Sequence, residues 1–359
     1  MRTSEKTKGD DRPMMDETDS EVIEVGDLDF AQWNEYAIER GWSDGFPLIM
    51  PTEDLVDRFA ETCRGDNEPF PPMTPRQLVP TIRGIAANAV MAGCRAEYLP
   101  VIVAAVRAVL KPDYNLHGTL ATTHSCAPMM IVSGPVRKAL DINCGSNCFG
   151  QGAQANATIG RALQLTLMNI GGATPGEMDR ATQGSPAKYS FCFGENEEES
   201  PWEPYHVRRG FEASDNVVTM LACEPPHNVN DHASTSGEAL LSTIAGTISQ
   251  TGVNIIRGLC PYVVALGPEH AQTMHRDGWS IPDIQQKLYE DSKVHYSRVA
   301  QEQLVYAGER GNKLVNDHLY LTESPERIQV LVAGGPGKHS SFIPTFSTTQ
   351  ECSVRISNL

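Results

Sequence analysis

From residue 116 onward, short apolar runs of strand length alternate with longer runs of helical period. This alternation constrains the fold of the 359-residue chain more than any other feature. Strands are predicted at "LHGTLATTH", "PMMIVSG", "YSFCFGE", "NVVTMLAC", "PYVVALG" and "IQVLVAGG", where β-branched and apolar residues are bounded by Gly and Pro. Between them, "VRKALDI", "ATIGRALQLTLMNI", "GEALLSTIAGTISQTG" and "SIPDIQQKLYEDSKVHY" carry the helical spacing. Strands alternating with helices predict an α/β fold, with a substantially parallel sheet flanked by helices.

Residues 27–115 read as a mainly helical region, a small domain or a cover over that sheet. Helices are expected at "FAQWNEYAIERGW", "EDLVDRFAETC" and "EYLPVIVAAVRAVL". Another starts at Thr74-Pro75-Arg76-Gln77, where Thr caps, Pro fits the first turn and Gln reaches back, although Pro80 can displace that start. Residues 116–359 read as one α/β domain, and no internal repeat is visible.

Composition excludes several functions. An apolar fraction of 40% supports a real core, while a net charge of −16 without a Lys/Arg run opposes nucleic-acid or anionic-membrane binding. No apolar stretch is long enough to span a bilayer. Residues 1–26 are acidic and lack a signal-peptide core, so they read as a disordered tail and the expected location is cytoplasmic. Nine cysteines, spread along the chain, are expected to be thiols in a reducing compartment.

In α/β folds ligands bind where strands end and helices begin, which directs attention to loops. "NCGSNCFGQG" holds Cys144 and Cys148, with Gly150 and Gly152 permitting close backbone approach to an anion before the following helix. The spacing is neither the C-x-x-C of thioredoxin-like proteins nor half of a zinc ribbon, so nucleophile, ligand and buried thiol all remain open. "HGTLATTHSCAP" supplies His124 and Cys126, suited to zinc or iron or, for His124, to activating a thiol. "CEPPHNVNDH" adds His227 and His232 as further metal ligands. "FCFGENEEESPWEPYH" brings five carboxylates off a strand end, with Glu195, the nearest, the best general base or ligand. "VAGGPGKHSS" fails the Walker pattern but leaves Lys338, His339 and Ser340 on a glycine turn suited to an anion. No nicotinamide, flavin or ATP fingerprint is visible.

"GWSDGFPLIMPT", "ANAVMAGCRAEYLPVI", "NATIGRALQLTLMNIGGATPGEMDRAT" and "VAGGPGKHSSFIPTF" together resemble bacterial proteins of the UGSC-type (seleno)protein family. That family is named for a selenocysteine-Gly-Ser-Cys tetrapeptide, which is absent here: Cys144-Gly145-Ser146 is followed by Asn147. The resemblance implies an α/β enzyme-like protein and a setting for thiol or selenol chemistry, with no substrate attached.

These readings converge on an enzyme acting on a small anionic or sulfur-containing metabolite, of lyase or hydrolase type. Cys144 or Cys148 would be nucleophile or ligand, with His124 as base and Glu195 nearby. The alternatives are a thiol–disulfide oxidoreductase working with a redox partner protein, and a non-catalytic binding or assembly subunit. A homo-oligomer is expected from general frequencies among soluble enzymes.

Overall fold

A computed structural model describes residues 22–258, 260–312, 314–346 and 348–357. Most of the expected tail, residues 1–21, lies outside the described residues. Helix α1 (Phe30–Glu39) starts on a reciprocal cap between Asp29 and Gln32, and α2 (Glu53–Glu61) follows. Helix α3 (Ile82–Met91) begins later than the Thr74-Pro75 pattern suggests. Gln77 is in the left-handed region at φ 60°, and Met73 pairs with Leu78, so residues 73–78 form a closed turn. Thr81, just after Pro80, provides the cap instead by accepting from Gly84 N at 3.0 Å.

Helix α4 (Leu99–Val109) is buried along nearly its whole length. The segment "LHGTLATTH", expected as a strand, opens with helix α5 (Leu116–Ala121). Asn115, at φ 55°, turns the chain and its side chain accepts from Gly118 N. Burial of Leu116, Thr119 and Leu120 then follows the helical i, i+3, i+4 spacing.

Strand β1 (Ala127–Ser133) leads into α6 (Val136–Ala139) and the long α7 (Gln154–Asn169). Then come β2 (Cys192–Gly194), α8 (Tyr205–Arg208), β3 (Val217–Cys223) and β4 (His227–Asn230). The second half runs α9 (Gly237–Ile248), β5 (Tyr262–Leu266), α10 (Pro268–Arg276) and α11 (Ile281–Asp291), the last on a Ser280/Asp283 capping box. A two-residue ladder of β6 (Val294–His295) and β7 (His318–Leu319) brackets α12 (Gln301–Glu309). Strands β8 (Ile328–Val332), β9 (His339–Ile343) and β10 (Cys352–Arg355) close the chain, so two strands follow the last one expected.

Two four-stranded sheets result, in the orders β10-β3-β1-β2 and β4-β9-β5-β8. Each contains one parallel pair (β1 with β2, β5 with β8) and two antiparallel pairs. The α/β class therefore stands with mixed sheets. The sequence shows no repeat, yet the same pairing scheme occurs twice, and the edge strands are exchanged. After β3 the chain leaves the first sheet to become the edge of the second, and after β9 it returns to edge the first. The two crossings meet where Cys223 pairs with Thr345, and Glu224 N donates to Pro344 O at 2.8 Å.

Alternation along the strands builds the layers. Met130 and Val132 of β1 face helices α1 to α4 and α7 in one core, so the N-terminal helices cover the first sheet. Met129 and Ile131 pack instead against Val263, Ala265 and Leu331 of the second sheet. Val264, Leu266 and Val330 turn outward to α9, α10 and α11. The order is helices, sheet, sheet, helices. No helix among the described residues is long and apolar enough to cross a membrane.

Candidate functional site

The carboxyl ends of both parallel pairs come together at one edge of the sheet sandwich. Each central strand there leaves through Gly-Pro into a helix: Ser133-Gly134-Pro135 before α6, and Leu266-Gly267-Pro268 before α10. Both glycines are sterically required, because a Cβ would collide with Asp215 O at Gly134 and with His339 O at Gly267. The cysteine loop lies across both ends. Asn143 O accepts from Gly194 N at 3.1 Å, and Cys144 O accepts from Gly334 N at 2.9 Å.

Beside the second pair opens a cleft of about 590 Å³, lined among others by Ser146, Asn196, Glu269, His270, Gly335 and Lys338. Gly335 lies so close to Ser146 that any Cβ would overlap its hydroxyl. His270, almost wholly buried, holds Ser340 Oγ at 2.8 Å from Nδ1 and Asp231 O at 3.1 Å from Nε2. A carbonyl only accepts, so Nε2 carries the proton and Nδ1 accepts from the Ser340 hydroxyl. That hydroxyl oxygen also accepts from Gly267 N at 3.1 Å. Burial lowers the His270 pKa below its ordinary 6.5, leaving a neutral imidazole at pH 7.

The first pair ends in charge. Arg137 is 2% exposed and spans Glu197 Oε2 at 2.7 Å and Glu198 Oε2 at 3.1 Å. That pairing with Arg137 holds Glu198 down to about 2. Glu195 is fully buried and accepts from Tyr205 N at 2.8 Å and Ser133 Oγ at 3.0 Å, while burial pushes its pKa up to about 7. Glu197 Oε1 accepts from Gly134 N at 2.6 Å and lies 3.7 Å from His206 Nδ1. Neither ring nitrogen of His206 has a hydrogen-bond partner, although the side chain is 0% exposed.

The sequence-predicted residues divide between several places. Cys144 is half-buried at the cleft edge, its Sγ 3.9 Å from Arg137 Nη1, and burial raises its thiol pKa against the pull of that guanidinium. Cys148 sits in the core between the sheets, where burial pushes it up to about 11. Both are thus thiols at neutral pH, with no bond between them. His124 precedes the first residue of β1 and pairs with Glu224 at 2.8 Å. Cys144 lies beyond the far end of β1, about 20 Å along a seven-residue strand, so the expected thiol–base pair does not assemble.

Nor do the four expected metal ligands converge. Cys126 is buried with its thiol toward Thr119 O at 3.8 Å, beside His124 at the opposite edge. His227 is exposed at the start of β4, and His232 meets His339 with their Nε2 atoms 3.2 Å apart. Of the expected anion-binding residues, Lys338 lines the cleft, Ser340 lies beneath it against His270, and His339 turns to His232. Gly150 and Gly152 lie in the turn leading to α7, where Gly150 N donates to Asn147 O at 2.9 Å. Arg137 and His270 were missed by sequence reasoning. The twofold occurrence of strand-Gly-Pro-helix, with each residue two places after the proline, is the signal that could have found them. Comparison with protein-family models and with curated proteins finds no match to this chain.

Proposed function

We propose that this chain is a cytoplasmic enzyme of the lyase or hydrolase type whose small anionic or sulfur-containing substrate occupies the cleft between Ser146 and Lys338. The supporting observation is the position of that cleft at the joined carboxyl ends of two parallel strand pairs. Lys338 and the Gly335 amide face the cleft as the groups for an anion, while Gly334 N donates to Cys144 O and Gly337 N to Glu269 Oε1. Cys144, next to the cleft-lining Gly145 and Ser146, is the group a sulfur-containing substrate would meet. A proton must move at neutral pH, and His270, neutral and with its tautomer set by Asp231, carries it through Ser340. The resemblance to UGSC-type proteins implies a setting for thiol or selenol chemistry, which fits a role for Cys144.

The test is a thermal-shift screen of full-length protein against small carboxylates, phosphates and their thio analogues, followed by turnover assays on each binder. Lys338→Ala should weaken binding about tenfold, the loss of one charge-assisted contact. It should leave stability within about 0.5 kcal/mol, as for a surface substitution. His270→Gln should abolish turnover with binding retained. A panel without a binder, or binders unaffected by filling the cleft with Thr273→Trp, would remove the proposal.

A further inference from the structure

We propose that Glu195, Glu197 and His206 form a binding site for a divalent transition cation such as zinc, manganese or iron(II). One donor atom from each residue lies within 4.8 Å of the other two. None of the three lines the cleft, so the proposal is independent of the reading above. The geometry is local in origin. Glu195 directly follows the end of β2, and Glu197 stands two residues on at the start of the next turn. His206 joins them from the first turn of α8, directly after Pro204.

An acidic cluster alone would mean little, and the imidazole is the independent observation. His206 is fully buried, yet both of its nitrogens lack a hydrogen-bond partner. Buried polar groups are nearly always hydrogen-bonded, and an exception calls for a missing ligand or another physical cause. Nδ1 points within 3.7 Å of Glu197 Oε1, so the unpaired nitrogen faces the carboxylates.

The carboxylates are held as metal-binding carboxylates are held, by groups behind them. Tyr205 N–H donates to both Glu195 oxygens, at 2.8 and 2.9 Å, and Ser133 Oγ donates to one of them. Gly134 N–H anchors Glu197 Oε1, and Arg137 draws on Oε2. An ionised carboxylate can accept about four hydrogen bonds, so each retains a lone pair for a cation. One imidazole with two carboxylates suits zinc, manganese or iron(II) better than calcium or magnesium, which prefer all-oxygen shells. The set contains no thiolate, unlike a site built on Cys126.

The experiment is titration of chelator-treated full-length protein with zinc(II) by calorimetry, and with cobalt(II) by absorption spectroscopy. One equivalent per chain is expected, with a cobalt spectrum free of a thiolate charge-transfer band. Glu195→Gln and His206→Gln should each weaken zinc binding by more than about 100-fold, beyond the loss of a ligand's supporting partner. His232→Ala should leave the affinity unchanged. Circular dichroism of each metal-free variant checks folding, and Glu197→Gln stands in if His206→Gln fails to fold. Absence of stoichiometric binding, affinity unchanged in the ligand variants, or a thiolate band would each overturn the proposal. Cleft binders lost with metal binding intact would instead count against the cleft reading alone.

Discussion

The two sheets pair their strands by the same scheme, yet the ends of their parallel pairs are furnished in opposite ways. At the end of β1 and β2, Arg137 forms ion pairs with Glu197 and Glu198 and donates to the backbone carbonyl of the buried Glu195. At the matching position after β5 stands His270, and the loop after β8 carries Gly334, Gly335 and Gly337 where the loop after β2 is rich in glutamate. The first end is closed and charged, and the second opens into the cleft. A shared backbone frame therefore places a site without deciding its chemistry. The two side chains at one helical position, and the bulk of the loop facing them, decide it.

The comparison breaks most sharply at Arg137. Arg137→Met should destabilise the chain by about 3 kcal/mol, because it leaves the partly buried Glu197 without its counter-charge and the buried Glu195 carbonyl without its donor. Urea unfolding measures this. A loss under about 1 kcal/mol would show that the closed end is not held by its ion pairs.

The two Gly-Pro exits provide the next test. Gly134→Ala and Gly267→Ala both drive a methyl into a backbone oxygen, with an overpacking cost of about 1–3 kcal/mol each. Gly134 also has a φ of 94°, so its variant should be the less stable of the two. Equal unfolding midpoints for the pair would mean that the left-handed conformation at Gly134 relaxes without cost.

The smallest effect is the pH dependence that His270 gives the open end. His270 has its pKa lowered by burial, opposed by Asp231 and Glu269 and reinforced by His339. The unfolded chain therefore takes up this proton first. The His270 contribution is complete above the unfolded value of about 6.5 and is lost as pH falls below it toward the folded value. Thermal unfolding of wild type and His270→Gln from pH 8 to 5 should show this acid slope in the wild type and a reduced one in the variant. Parallel curves would mean that the imidazole protonates in place without breaking its contacts to Ser340 and Asp231.

Much of the secondary structure was legible because its signals are local. The capped start of α11 at Ser280, the helical apolar spacing before Gly171-Gly172, and the buried run of β5 each act within a few residues, whereas the expected Thr74/Gln77 cap did not form. Local reading failed where a nearby residue outvoted the pattern, as Asn115 did in turning an expected strand into α5. The site was only half legible. Glu195 and Lys338 stood at recognisable strand ends, but the pairing of His124 with Cys144 required the two ends of β1 to coincide.

By sequence alone, this chain determined most of its helices, most of its strand runs and the turns that release them, since these free energies arise between near neighbours. Only the tertiary structure decided that the fourth strand of each sheet comes from the other half of the chain. It also decided that His270 meets Ser340 from 70 residues away. Strand pairing and side-chain convergence draw their energy from contacts distant in sequence, and a buried polar group takes whichever partner the packed layers bring to it.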